Sequence, residues 1–130
     1  MTVSGGTVNV QDLTVTGVTG LISTIPGTLV VQQNSTVNLK GVDVSHNQTT
    51  GIYLHSGTLS MSNRSSVSQN HGGGIYVESG TLNIDSGCKV TQNSVGGGIS
   101  GSGTVNLADK DIVFNNQPNN CDDDYINCVN

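Results

Sequence analysis

Three short motifs recur in one order along this chain, at one period. Thr58-Leu59-Ser60-Met61, Thr81-Leu82-Asn83-Ile84 and Thr104-Val105-Asn106-Leu107 begin 23 residues apart. Val67-Ser68-Gln69-Asn70, Val90-Thr91-Gln92-Asn93 and Val113-Phe114-Asn115-Asn116 repeat at the same step of 23. Gly51-Ile52-Tyr53-Leu54, Gly74-Ile75-Tyr76-Val77 and Gly98-Ile99 step by 23 and then 24. Upstream, Thr36-Val37-Asn38-Leu39 and Val44-Ser45-His46-Asn47 precede their successors by 22 and 23 residues, and Thr7-Val8-Asn9-Val10 lies 29 before Thr36. A unit of this size cannot bury an apolar face alone, so neighbouring copies must stack.

Each period holds three short alternating runs separated by Gly, Ser or Asn. Such runs, stacked on their counterparts one period later, make one turn of a parallel β-helix. The expectation is an all-β, right-handed, three-faced β-solenoid of about five coils, each of 22–24 residues with three short strands. At the usual strand spacing of about 4.8 Å it forms a rod roughly 24 Å long. Residues 1–120 read as one domain and 121–130 as a polar, acidic loop or cap. One coil within 18–36 must be irregular, with about seven extra residues. Either Thr7 or Gly27-Thr28-Leu29 is the equivalent of Thr36. Composition agrees: Val, Ile and Thr number 17, 8 and 14 of 130 residues, against one Ala and one Glu. Strands favour the first set, and helices need the second.

Alternation along a strand assigns faces. Leu59 and Met61, Leu82 and Ile84, Val105 and Leu107, and Ile52, Ile75 and Ile99 point inward. Thr58, Thr81 and Thr104 form one outward column, and Ser60, Asn83 and Asn106 a second. Tyr53 and Tyr76 stack on another face. Asn47, Asn70, Asn93 and Asn116 close the third run of successive coils, where stacked amides pair along the axis and satisfy turn donors and acceptors. The glycines that follow, Gly72 to Gly74 and Gly96 to Gly98, suit a positive-φ corner.

The pairing of Val67-Ser68-Gln69-Asn70 with Gly72-Gly73-Gly74-Ile75, and of Val90-Thr91-Gln92-Asn93 with Gly96-Gly97-Gly98-Ile99, resembles the GGA(I/L/V) and FxxN repeats of polymorphic outer membrane proteins. It also resembles the wider set of β-helical autotransporter passengers. The likeness covers 36–121 reasonably and 1–35 poorly, with Val in place of Phe and Gly in place of Ala. It implies a right-handed parallel β-helix at the cell surface or secreted, adhesive rather than catalytic. The membrane barrel of those families has no counterpart here.

Charge excludes other classes. Net charge is −5, with three of the acids at Asp122, Asp123 and Asp124. Four Lys plus Arg leave no basic patch for nucleic acid. No apolar run approaches a membrane span, and Met1 to Val10 lacks signal-peptide features, so a signal was removed or the chain belongs to something longer. A β-helix hydrolase or lyase would need paired carboxylates on one face. The candidates are Asp43, Glu78, Asp85, Asp109 and Asp111. Asp43 and Asp111 share an offset from the repeat Thr but lie three coils apart, while Asp85 and Asp109 could neighbour at a turn. Solvated turn carboxylates are the plainer reading, and Arg64 and the lysines fall at scattered offsets. His46, His55 and His71 read as outward turn residues. The three adjacent acids could hold Ca²⁺ by oxygen donors, or form a solvated loop. No catalytic residue, metal site or cofactor is assigned.

Three cysteines leave at least one thiol unpaired within the chain. Cys121 and Cys128 could close a terminal loop in an oxidising compartment, or stay free; metal ligation has neither a CxxC pair nor a nearby His behind it. The sequons at Asn34, Asn47 and Asn63 occur about as often as this composition produces by chance. A solenoid also bares unpaired strand edges at both ends. With no capping helix in view, the expected partner is a second subunit stacked end to end into a fibre or array. A host or cell-surface glycan or protein is the other expected partner. The functional expectation is a non-enzymatic extracellular or cell-surface structural element for adhesion or self-assembly. The alternatives are a carbohydrate-active enzyme, or an ice- or glycan-binding module using the Thr and Asn columns.

Overall fold

A computed structural model describes residues 1–19, 27–122 and 125–130. Fifteen short strands among them form three parallel five-stranded sheets, one strand per sheet in each of five coils. Sheet A stacks β1 (Thr2–Ser4), β4 (Leu29–Gln32), β7 (Ile52–Leu54), β10 (Ile75–Val77) and β13 (Ile99–Gly101). Sheet B stacks β2 (Thr7–Gln11), β5 (Ser35–Lys40), β8 (Gly57–Ser62), β11 (Thr81–Ile84) and β14 (Thr104–Leu107). Sheet C stacks β3 (Thr14–Thr16), β6 (Asp43–Ser45), β9 (Ser66–Ser68), β12 (Lys89–Thr91) and β15 (Val113–Phe114). The chain is the parallel β-solenoid that its period implies.

Inward side chains form columns of small aliphatics. Val37, Leu59 and Leu82 lie in register and are fully buried, as are Val44, Val67 and Val90 on sheet C. This layering gives each interior coil an apolar floor and ceiling supplied by its neighbours, at about 25 cal/mol per Å² of apolar surface removed from water.

Register settles where the irregular coil lies. Thr7 pairs with Thr36, whereas Leu29 pairs with Ile52, so Gly27-Thr28-Leu29 is the counterpart of the Gly-Ile motif and not of Thr36. The long connection therefore joins β3 to β4, spanning 17–28 against 46–51, 69–74 and 92–98 in later coils. Residues 20–26 of it lie outside the described residues.

The Asn corner differs from expectation in which residues take positive φ. His46, Gln69, Gln92 and Asn115, each just before a ladder Asn, have φ of 54–57°. Of the glycine triplets only the middle residues, Gly73 and Gly97, have positive φ. The outer ones are glycine for lack of space: a Cβ on Gly74 would sit 2.4 Å from the Gly98 carbonyl oxygen, and one on Gly96 2.3 Å from that of Gly72. The coils approach too closely there for any side chain.

Inside the corner the Asn side chains run as a continuous ladder. Asn70 Nδ2 donates to Asn93 Oδ1 at 3.0 Å and to the Val44 carbonyl at 3.0 Å, while Asn93 Oδ1 also accepts from the Asn70 amide. Asn47 and Asn93 repeat the pattern one coil earlier and later. Asn116 continues it onto Asn120, a member from the tail that the repeat does not announce. At the other end Val18 occupies the Asn position, and its amide donates to Asn47 Oδ1 at 3.0 Å.

Residues 119–122 and 125–130 fold across the last coil. Cys121 bridges to Ile99, extending sheet A by one rung. Tyr125 and Cys128 pack against the core, Tyr125 Oη donates to the Gly101 carbonyl at 2.8 Å, and Asn127 Nδ2 to that of Leu107 at 2.8 Å.

Candidate functional site

The outer face of sheet A carries the most chemistry. Read coil by coil, its two outward files are Thr2 and Ser4, Val30 and Gln32, Tyr53 and His55, Tyr76 and Glu78, then Ser100 and Ser102. The rings of Tyr53 and Tyr76 stack along the axis with centroids 5.2 Å apart and planes inclined by 23°. His55 lies beside Tyr53 with its ring inclined by 17°. Tyr53 Oη donates to Glu78 Oε2 at 2.8 Å, and His55 Nδ1 contacts the same oxygen. Two coils thus hold one carboxylate between a phenol and an imidazole.

The electrostatics follow from that geometry. The His55 contact, then the Tyr53 hydrogen bond, hold the Glu78 carboxyl below its ordinary value. Burial, followed by the hydrogen bond to Glu78 and its charge, pushes Tyr53 up to about 12. A general acid at neutral pH needs a carboxyl shifted the other way. The cluster can offer a fixed carboxylate, ring faces and hydroxyls to a ligand. His55 and Glu78 are 23 residues apart, so the period itself brings them together. The pairing is hidden when histidines and acids are taken as separate classes, because neither type recurs at the period by itself.

Sheet B presents the Thr and Asn columns. Thr58, Thr81 and Thr104 align in register, with Thr7 and Thr36 extending the file to all five coils. Ser60, Asn83 and Asn106 align beside them. Asn106 Nδ2 donates to Asn83 Oδ1 at 2.9 Å, and Asn38 Nδ2 to Asn9 Oδ1 at 2.8 Å. Asn47, Asn70, Asn93 and Asn116 are all buried and structural, so they offer nothing to a ligand.

The other candidates are dispersed. Asp43 stands in register with Ser66 and Lys89, and the offset it shares with Asp111 is not a shared register. The turn after β5 is one residue shorter than the turn after β8, 41–42 against 63–65. Asp43 accepts hydrogen bonds from Ser45 and Ser66, and Asp109 from the Asp111 amide. Asp85 is exposed and follows Ile84, which pairs with Leu107, so its counterpart is Ala108 and not Asp109. His46 and His71 are exposed, His71 meeting Ser94 Oγ at 3.3 Å. Lys89, Lys110, Asp111 and Phe114 line an open groove of about 390 Å³.

Cys121 and Cys128 form a disulfide, with Cα atoms 6.4 Å apart. Cys88 is a free, buried thiol, and burial pushes its pKa up. Among the described residues no three His, Cys, Asp or Glu side chains gather to hold a metal ion. Asp123 and Asp124, two of the Ca²⁺ candidates, lie outside the described residues. Of the sequon asparagines, Asn34 and Asn63 are exposed at turns, whereas Asn47 is fixed in the ladder. Among the described residues no helix is long and apolar enough to cross a membrane.

The chain matches a family model described as a right-handed β-helix region, over residues 4–130. Neither the curated proteins nor the solved structures compared with the chain gave a match. The match also supplies the handedness, which parallel crossovers favour in any case. The chain belongs to the right-handed β-helix family.

Proposed function

We propose that this chain is a non-enzymatic structural solenoid, working outside the cell or at its surface in adhesion or assembly. The observation that carries the reading is the arrangement of outward side chains. Several contact their own copies one coil on, through the Asn9–Asn38 and Asn83–Asn106 hydrogen bonds and the Tyr53–Tyr76 stack, and so form short ribbons two residues long. A ribbon of repeated side chains suits a stiff contact surface, whereas turnover needs differently tuned groups converging on one bond. The resemblance to polymorphic outer membrane protein and autotransporter passenger repeats supports placement at the cell surface.

Self-association belongs at the first coil. There Val8, Val10 and Val15 are only half-buried, Leu13 is 41% exposed, and the outer edges of β1, β2 and β3 have no strand beyond them among the described residues. Residues 119–122 and 125–130 lie at the opposite end, and the assembly we propose is therefore pairing of two first coils about a two-fold axis rather than a head-to-tail fibre. Sedimentation velocity across a hundredfold range of concentration tests this. The expected result is a concentration-dependent dimer that Val8→Lys abolishes. A monodisperse monomer throughout overturns the assembly reading, and depolymerisation of any polysaccharide by the pure protein overturns the non-enzymatic one.

A further inference from the structure

The tyrosine column on sheet A stops one rung short of the tail. Tyr53 and Tyr76 stack face to face, so their ring planes lie across the axis and each ring covers one coil. The next position in that file is Ser100, paired with Tyr76. Beyond it Cys121 bridges to Ile99 and the Asp122 amide donates to the Ile99 carbonyl at 3.1 Å. The added rung therefore sets Asp122, which is exposed, after Ser100 in the same file. The file reads Tyr53, Tyr76, Ser100, Asp122. Serine is too short to fill the rung, which among the described residues leaves a step about 9.6 Å from the Tyr76 rung to the Asp122 rung, or twice the strand spacing. One wall is the face of a phenol ring, the other a carboxylate, and Glu78 lies beside Tyr76.

We propose that this step binds the guanidinium group of an arginine presented by a partner protein. A flat cation one ring thick fits as the missing rung, with one face on Tyr76 and the other toward the Asp122 carboxylate. The negative face of an aromatic ring attracts cations, and a flat guanidinium can stack on that face while its charge meets the carboxylate across the step. Lysine lacks the flat shape, and an anion meets repulsion from Asp122, Glu78 and a chain of net charge −5. The inference rests on the adhesive reading, because it names the chemistry of the partner that such a face would hold.

The test uses the intact protein, a short peptide with one central arginine, and the same peptide with lysine in its place. Binding is followed through the ring proton resonances of Tyr76 by NMR. The arginine peptide is expected to shift those resonances, to bind about fivefold more tightly than the lysine peptide, and to weaken as salt rises. Ser100→Tyr fills the rung with the side chain that the same file already accepts in the two coils before it, so the fold is retained. It should abolish the shift, and Asp122→Asn should weaken binding about threefold. Equal binding of the two peptides, or undiminished binding by Ser100→Tyr, overturns the proposal. Those results leave the structural role intact, whereas polysaccharide turnover would overturn the structural role without bearing on arginine binding.

Discussion

In the last coil Ile99, Val105, Leu107 and Val113 are 0%, 9%, 6% and 1% exposed. Their register counterparts in the first coil fare differently: Met1 is 55% exposed, and Val8, Val10 and Val15 are half-buried. The two coils come from the same repeat, with apolar inward residues at each of these four positions. What separates them is the segment outside the repeat. Asn120 ends the ladder, Cys121 adds a rung, and Tyr125 and Cys128 pack against the core from the end. A repeat supplies lateral neighbours for every coil except the outermost, so closing an end requires sequence that departs from the repeat.

Removing residues 119–130 should make the last coil resemble the first, and is the largest effect expected. The loss of two packed side chains and the end hydrogen bonds amounts to about 5 kcal/mol. Urea unfolding measures it, and the bared end should associate with rising concentration. Asn93→Ala breaks the ladder in the interior. It leaves the Asn70 amide and the Val67 carbonyl without partners at a buried corner. The expected cost is about 3 kcal/mol, which separates ladder from cap when both variants are unfolded side by side.

How much of this was legible in the sequence differs between the same two ends. Every interior column follows from a period of 23, including the burial of Asn70 and Asn93, because neighbours one period apart are forced into register. His55 and Glu78 were equally legible, since their spacing is the period. The cap was not, because Tyr125 and Asn127 meet the last coil through contacts that no repeat encodes. Nor was the Asp43 register, where a turn shorter by one residue shifts the count. Nor was the positive φ at Gln69 and Gln92, because glutamine is not a residue that marks such a corner.

A smaller effect sharpens the comparison from the other end. Gly17 already has the positive φ of 75° that precedes a ladder residue, so Val18→Asn should add a rung to the first coil. The expected gain is about 1 kcal/mol in the same unfolding measurement. The smallest effects are those of pH on the middle coils. The Glu78 carboxyl is lowered in the folded protein, so its contribution is present above the ordinary carboxylate value and lost as pH falls through the folded value. Tyr53 is raised from 10.0 to about 12, so its contribution holds below pH 10.0 and disappears between there and about 12. Unfolding curves of Glu78→Gln should lack the acid-side loss, while the contrast between the two ends remains.

Amide hydrogen exchange, resolved residue by residue on dilute protein, tests the central claim of one closed and one open end. The expected result is slow exchange at the hydrogen-bonded amides of Ile99 and Gln117 and fast exchange at those of Val30 and Thr36, which pair with the first coil. Equal protection at the two ends, or faster exchange at the last coil, would contradict it.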